Sequence, residues 1–512
     1  MVKGRINMRN KTIPRYVAAM ATIIGAGNLG AASVDDFRLL DAARNEDKLA
    51  IQSLVKQGVP VNVTRADGIT ALHWVAQSND LTSADLLIRA GAQVNAADDY
   101  GVTPLSLACS VGSSSLVHKL LEAGANPNST QISGETALMT CSRTNALDAM
   151  EAILARGADV NAKEKSLSQT ALMWAASEGH VDAIQVLLKH GADVHVRSMD
   201  GYTALLMAAR GGDIPTTQAL LAAGADVNEK AKDGSTALVI AIIRGHTKYG
   251  EFLLDKGADP NAGPGFTPLH WAAAKYDHQL SDNSNGILAE DTEWSSFGGL
   301  RGPERLEFVK AVVAHGANVN ARMVRGLSIG FNVKQYMCSA DTRCSLAGAT
   351  PFLLAAFAND LDVMRELVAH GADPSLTTTD GTTPLMVAAG VGHEPGITRS
   401  TESSGSAAVK LCLELGANVN AANKYGDTAL HGAAWRERGE SIIQLLVDKG
   451  ANLNAKNNRG WTPLVIAEGI HTGGNYVRSD TTAALLRKLG AEPSPPDISR
   501  EPNGPFGTAA LQ

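Results

Sequence analysis

The residues of this 512-residue chain that could do chemistry are thirteen histidines, five cysteines and scattered carboxylates. Such groups serve as metal ligands, redox pairs or acid–base partners, and spacing decides which role is open to them. His73, His270 and His431 each stand three residues after a threonine. His180, His246 and His393 follow a glycine, and His190, His315 and His370 precede a Gly-Ala pair. Nine of the thirteen therefore recur in fixed places, which marks them as parts of a repeated structure. His190 and His195 are close in sequence but flank a turn, and no H-E-x-x-H or C-x-x-C pattern supports a metal site. A nucleophile elbow, a phosphate loop and a dinucleotide fingerprint are also missing. No catalytic residue, metal site or cofactor is assigned, and an enzyme is not expected. Cys109, Cys141 and Cys412 fall at small-residue places and read as free packing thiols. Cys338 and Cys344 are expected to form a local disulfide if the chain is exported.

The elements that carry these residues repeat. DGITALHWVA, YGVTPLSLAC, DGYTALLMAA and DGTTPLMVAA share one frame, and Thr70, Thr103, Thr136, Thr170, Thr203 and Thr236 follow one another at steps of 33 or 34. Each unit closes on a second frame, as in Gly91-Ala92-Gln93-Val94-Asn95. The threonine can cap a helix start, proline suits the first turn, and the closing glycine tolerates a left-handed helix end. Leucine and paired alanines lie on one face of the first helix, where small side chains let neighbouring helices approach closely. One unit cannot bury its apolar faces alone, so stability must come from stacking.

The linked motifs T-A/P-L-H/M-x-A-A and L-L-x-x-G-A-D/N-V/P-N resemble the ankyrin repeat family over roughly residues 36 to 493. Closing glycines from Gly58 to Gly490 number twelve, and the first unit, Phe37 to Asn62, lacks the T-x-L-H opening and reads as an N-terminal cap. The resemblance implies an all-α solenoid of about twelve helix-turn-helix units with short β-turn fingers and two larger loop insertions. It also implies a non-catalytic scaffold that binds another protein, with contacts from finger tips and first-helix ends. Mapped onto this frame, the finger residues are Tyr100, Tyr202, Tyr425 and Trp461, and the helix-end residues are Arg210, Arg244, Lys275, Phe357, Trp435 and Arg436.

Intervals that break the period locate the insertions. Thr267 to Gly316 is 49 residues where the usual interval is 21, which puts an insertion near 276-303, between the helices of the eighth unit. A second, near 323-347, lengthens the following finger, so the two are neighbours in the chain and could meet in space. A third excess lies near 394-406, and the last unit carries seven extra residues. The first insertion is acidic and includes Trp294 and Phe297, while the second includes Phe331 and Tyr336. Purely solvating loops are usually poor in aromatics, so these four join the candidate binding residues.

Bulk properties fit an array. The chain is too long for one core, and 44% hydrophobic but only 4% aromatic residues suit thin layers of small side chains. Residues 1-33 hold five basic residues and no acid, then an apolar run from Tyr16 to Ala32, an order that resembles a secretory signal peptide. Gly25, Gly27, Gly30 and Asn28 make that run a poor permanent membrane span. Its removal would take the net charge from -7 to -12, which argues against nucleic acid as a partner. The expected product is a monomeric periplasmic or secreted array over 34-493 with a disordered tail over 494-512. The alternatives are a cytoplasmic scaffold with a basic N-terminal tail, and an accessory subunit of an exported enzyme or redox complex.

Overall fold

The computed structural model describes residues 36–274, 303–324, 346–393, 401–436, 438–472 and 475–495. Among these residues the helices pair into twelve consecutive units, from Arg38–Arg44 with Lys48–Lys56 to Pro463–Glu468 with Asp480–Lys488. Each unit packs against the next, first helix on first helix and second on second.

The local chemistry of one unit explains the element order. Thr136 is extended, at φ -102° and ψ 160°, and its hydroxyl accepts from the backbone N–H of Met139 at 3.2 Å, which starts the helix Ala137–Arg143. Asp80 caps the second helix Leu81–Arg89 of its unit in the same way, accepting from Ser83. That helix ends at Gly91, whose φ of 87° costs glycine little, and the next residue, Ala92, closes onto the Leu87 carbonyl. Between first helices the contact surface is alanine, with Ala76, Ala108, Ala175, Ala208 and Ala241 fully buried.

A ladder of asparagines ties the outer turns together. Asn128 donates to the Gly157 carbonyl at 2.9 Å and accepts from the Asp159 N–H at 2.8 Å. Asn62, Asn95, Asn161, Asn228, Asn261, Asn320 and Asn420 repeat this two-way link to the following unit. His195 and Ser375 occupy the equivalent places after Gly191 and Gly371, so the ladder lapses between units five and six and between nine and ten.

Three departures from the sequence expectation have physical causes. Cys109 and Cys141 are not free thiols: they form a disulfide, with Cα atoms 4.6 Å apart. They are separated by 32 residues instead of a full period, so they stand at offset places on two first helices that small side chains bring almost to backbone contact. Part of the third excess is helical, since Thr401 caps a second helix, Glu402–Glu414, of 13 residues against the usual nine. The seven extra residues of the last unit contribute an antiparallel hairpin that pairs Ile470 with Val477 and Thr472 with Asn475. Cys412 is buried and free, whereas Cys338 and Cys344 lie outside the described residues.

Candidate protein-binding surface

Fingers are built by side chains that satisfy their own turns. Asp98 accepts from the backbone N–H groups of Tyr100 and Val102 at 2.9 and 2.8 Å, leaving the Tyr100 ring outside. Neighbouring fingers are then laced through their backbones. Ile132 N–H donates to the Tyr100 carbonyl at 2.8 Å, Lys165 N–H to Ser133 at 2.7 Å, and Met199 N–H to Leu167 at 2.6 Å. The close approach leaves no room for a side chain at Gly201, where a Cβ would stand 2.9 Å from the Lys232 nitrogen. Four apolar side chains thereby stand on successive fingers: Tyr100 is 60% exposed, Ile132 64%, Leu167 44% and Met199 51%. Such a row of exposed apolar groups is uncommon on a surface without a partner.

A second row runs along the C-terminal ends of the first helices. The Arg44 guanidinium lies 5.7 Å from the Trp74 ring of the next unit, and that of Arg143 lies 5.0 Å from Trp174. Tyr202, Arg210 and Arg244 are brought into one patch. Burial pushes the Tyr202 phenol up to about 12 and Asp233 adds to that shift, while Arg210 and Arg244 act against it. The histidines of this row are structural: His180 and His246 place Nε2 at 3.0 and 3.1 Å from the Arg143 and Arg210 carbonyls.

The T-x-L-H histidines bridge adjacent units. Thr70 N–H donates to His73 Nδ1 at 3.1 Å, which leaves Nε2 as the donor to the Val102 carbonyl at 3.1 Å. His270 and His431 repeat the arrangement on Ala349 and Trp461. Burial holds His270 down to about 4, so the ring stays neutral.

Three of the residues assigned to the surface from sequence are inside. Trp461 is 1% exposed and packs with Ala434, Val465, Ile466 and Ile470, closing the end of the stack under the hairpin strand. Phe357 is buried against His393, with ring centroids 4.6 Å apart. Arg436 is buried because the first helix of its unit stops at Trp435 and the backbone at Arg436 turns extended. Its guanidinium then donates to the Ala388 carbonyl at 2.9 Å and reaches Asn359 Oδ1. Arg305 does the same for unit eight, donating to the Ala272 and Ala273 carbonyls at 2.8 and 3.0 Å and pairing with Asp360 at 2.8 Å. Tyr425 and Trp435 are half-buried, and Trp435 lines a small pocket with Gly390, His393, Asp427 and His431. Lys275, Trp294, Phe297, Phe331 and Tyr336 lie outside the described residues. Sequence reading named Tyr100 but missed Ile132, Leu167 and Met199, whose signal is an apolar residue set within a polar turn, as in Q-I-S-G and S-M-D-G.

Among the described residues, no group of three histidine, cysteine, aspartate or glutamate side chains could hold a metal ion. None of the described helices is long and apolar enough to cross a membrane. The family model for ankyrin repeats (3 copies) matches residues 39–131, 107–198, 138–231, 205–281, 322–398 and 400–496, most of the chain. This chain belongs to the ankyrin repeat family. Ankyrin repeats generally mediate protein–protein interaction, and proteins built from them are typically non-catalytic scaffolds. The array is similar to the human ASB11 ankyrin repeat domain at 28% identity and a TM-score of 0.40, over 43% of this chain and 98% of that one. It is also similar to the ankyrin repeat domain of Bcl-3, a member of the IkappaB protein family, at 28% identity and a TM-score of 0.36, over 40% of this chain and 94% of that one. No curated protein matches the chain.

Proposed function

We propose that this ankyrin array is an exported, monomeric, non-catalytic scaffold that recognises another protein through its finger row and the adjoining first-helix ends. The observation that carries the reading is the run of Tyr100, Ile132, Leu167 and Met199, four exposed apolar side chains on consecutive fingers. Burying such side chains against a partner contributes roughly 25 cal/mol per Å² of apolar area removed from water. Two observations favour export. The N-terminal 33 residues have the order of a secretory signal, and Cys109 and Cys141 form a disulfide, a bond that persists in oxidising compartments. Trp294, Phe297, Phe331 and Tyr336 belong to the same binding apparatus in this reading, as aromatic groups on insertions that flank the second helix of unit eight, Pro303–Ala314, in the sequence.

The test has two parts. Protein captured on the intact chain is identified and purified, and its affinity is then measured against a variant carrying Tyr100→Ser, Ile132→Ser, Leu167→Ser and Met199→Ser. The reading expects a loss of at least tenfold with unchanged helicity, and equal affinity contradicts it. Deleting residues 276–302 and 325–345 tests the insertions in the same assay. N-terminal sequencing of the protein from its native host decides export, since a start near Val34 is incompatible with an uncleaved basic tail.

A further inference from the structure

The first-helix ends of units one to seven differ in charge from the chain that carries them. The chain bears a net charge of -7, yet Arg44, Arg143, Arg210 and Arg244 recur along this edge, with Glu178 as the acidic helix end among them. A helix C-terminus attracts cations, so the bland explanation is that these arginines merely cap their own helices. The hydrogen bonds argue otherwise. The Arg143 and Arg210 carbonyls are taken by His180 and His246 of the following units, and the Cys109 carbonyl by Thr144. Where an arginine does cap such carbonyls, at Arg305 and Arg436, it is buried at 5% and 8% exposure. Arg44 and Arg143 are instead exposed, each with its plane held near the indole of the next unit.

A guanidinium positioned by an aromatic face keeps its N–H edge available for a bidentate carboxylate contact. Arg143 makes one loose, single-atom ion pair, at 3.9 Å from Glu135 of its own finger, and no bidentate contact. Val111, 37% exposed, stands on the same edge between Arg44 and Arg143. The edge thus carries arginines with Val111 and the half-buried Trp74 and Trp174 rings beside them, interrupted by Glu178, which suits a segment carrying both carboxylates and apolar side chains better than a uniformly charged polymer. Resting on the protein-binding reading, the geometry points to an acidic, partly apolar segment of a partner protein as the occupant of the first-helix edge over units one to seven.

An unbiased 12-residue peptide-display library, panned on the immobilised full chain, tests the occupant. Enriched peptides should be net negative, with Asp and Glu at no less than twice their library frequency. Their binding should fall at least tenfold on an Arg44→Gln, Arg143→Glu double variant whose helicity and melting are unchanged, and should weaken as salt rises. If that variant melts early, Arg143→Gln alone replaces it, with a threefold loss expected. Enrichment of neutral or basic peptides overturns the acidic occupant while leaving protein binding intact, as does equal binding of acidic peptides to the variants. Tighter binding of heparin than of the enriched peptides overturns it in favour of a polyanion. Absence of any enriched peptide overturns the acidic segment, and only the further failure of the intact chain to capture any protein would fail the protein-binding reading itself.

Discussion

Arg244 and Arg436 stand eight residues after the cap threonine of their units, yet the chain uses them in opposite ways. In unit seven the helix Ala237–Arg244 runs its full length and ends on Gly245 in the left-handed region, so Arg244 stays on the helix edge. In unit eleven the helix stops at Trp435 and extended backbone swings Arg436 inside, onto Ala388 and Asn359. Unit eight is cut short in the same way, at Ala273, and Arg305 fills the end. The lesson is that the backbone after the helix decides: Ala137–Arg143 is as short as Ala429–Trp435, but Thr144 after it keeps right-handed helical backbone and Arg143 stays exposed. Units one and four leave their arginines exposed on the helix edge, and units eight and eleven turn theirs onto buried carbonyls.

Substitutions should separate the two halves. Arg436→Ala leaves buried carbonyl and amide oxygens unsatisfied and should destabilise units nine to eleven by about 3 to 5 kcal/mol. Arg143→Ala, on an exposed edge, should change stability by no more than about 0.5 kcal/mol. Segment-resolved hydrogen exchange reads both effects, and equal losses would dissolve the contrast. The regular half has its own staple. Reducing the Cys109–Cys141 bridge, which closes a loop across 32 positions, should cost about 3 to 4 kcal/mol, seen as faster exchange confined to units three and four.

Acid should act more strongly on the irregular half. Burial holds His270 down to about 4, and burial with the nearby Arg436 charge holds His393 down to about 3, both below the ordinary 6.5. The folded state therefore binds fewer protons than the unfolded chain. Stability from these neutral rings is fully present above pH 6.5 and is lost as pH falls toward those values. At pH 5 each ring should cost about 2 kcal/mol, so units eight and ten should lose exchange protection before units three to six. His393→Phe should flatten the pH dependence of unit ten. His73 in unit two is shifted in the same direction by burial, so that unit is not a neutral reference. The smallest effect tests the asparagine ladder: His195→Asn should restore the missing link and stabilise the junction of units five and six by about 1 kcal/mol.

The twelve units were legible because all but the first begin on a threonine at the helix start and each ends on a left-handed glycine, as at Thr136 and Gly157. What escaped depends on geometry that a repeat frame averages away. Cys109 and Cys141 look like alanine substitutes until their offset of one residue places them face to face. Trp461 stands directly before its cap threonine, a place that is buried at Ile69, Phe266 and Ala349 too, and Phe357 occupies a place that is exposed at Gln77, Ser110 and Arg143 but is covered here by His393. Of the binding surface, the frame located the fingers and the helix ends. The apolar tips at Ile132, Leu167 and Met199 emerged only once the interfinger hydrogen bonds showed them to be neighbours.

The central claim is that the regular half carries the recognition surface, and a hydrogen-exchange footprint of the captured, purified partner on the full chain tests it most directly. The account predicts slower exchange in fingers 98–102, 130–135, 165–169 and 198–202 and at the first-helix ends beside them. Slowing confined to the second helices and the asparagine turns, with those fingers unchanged, would contradict it.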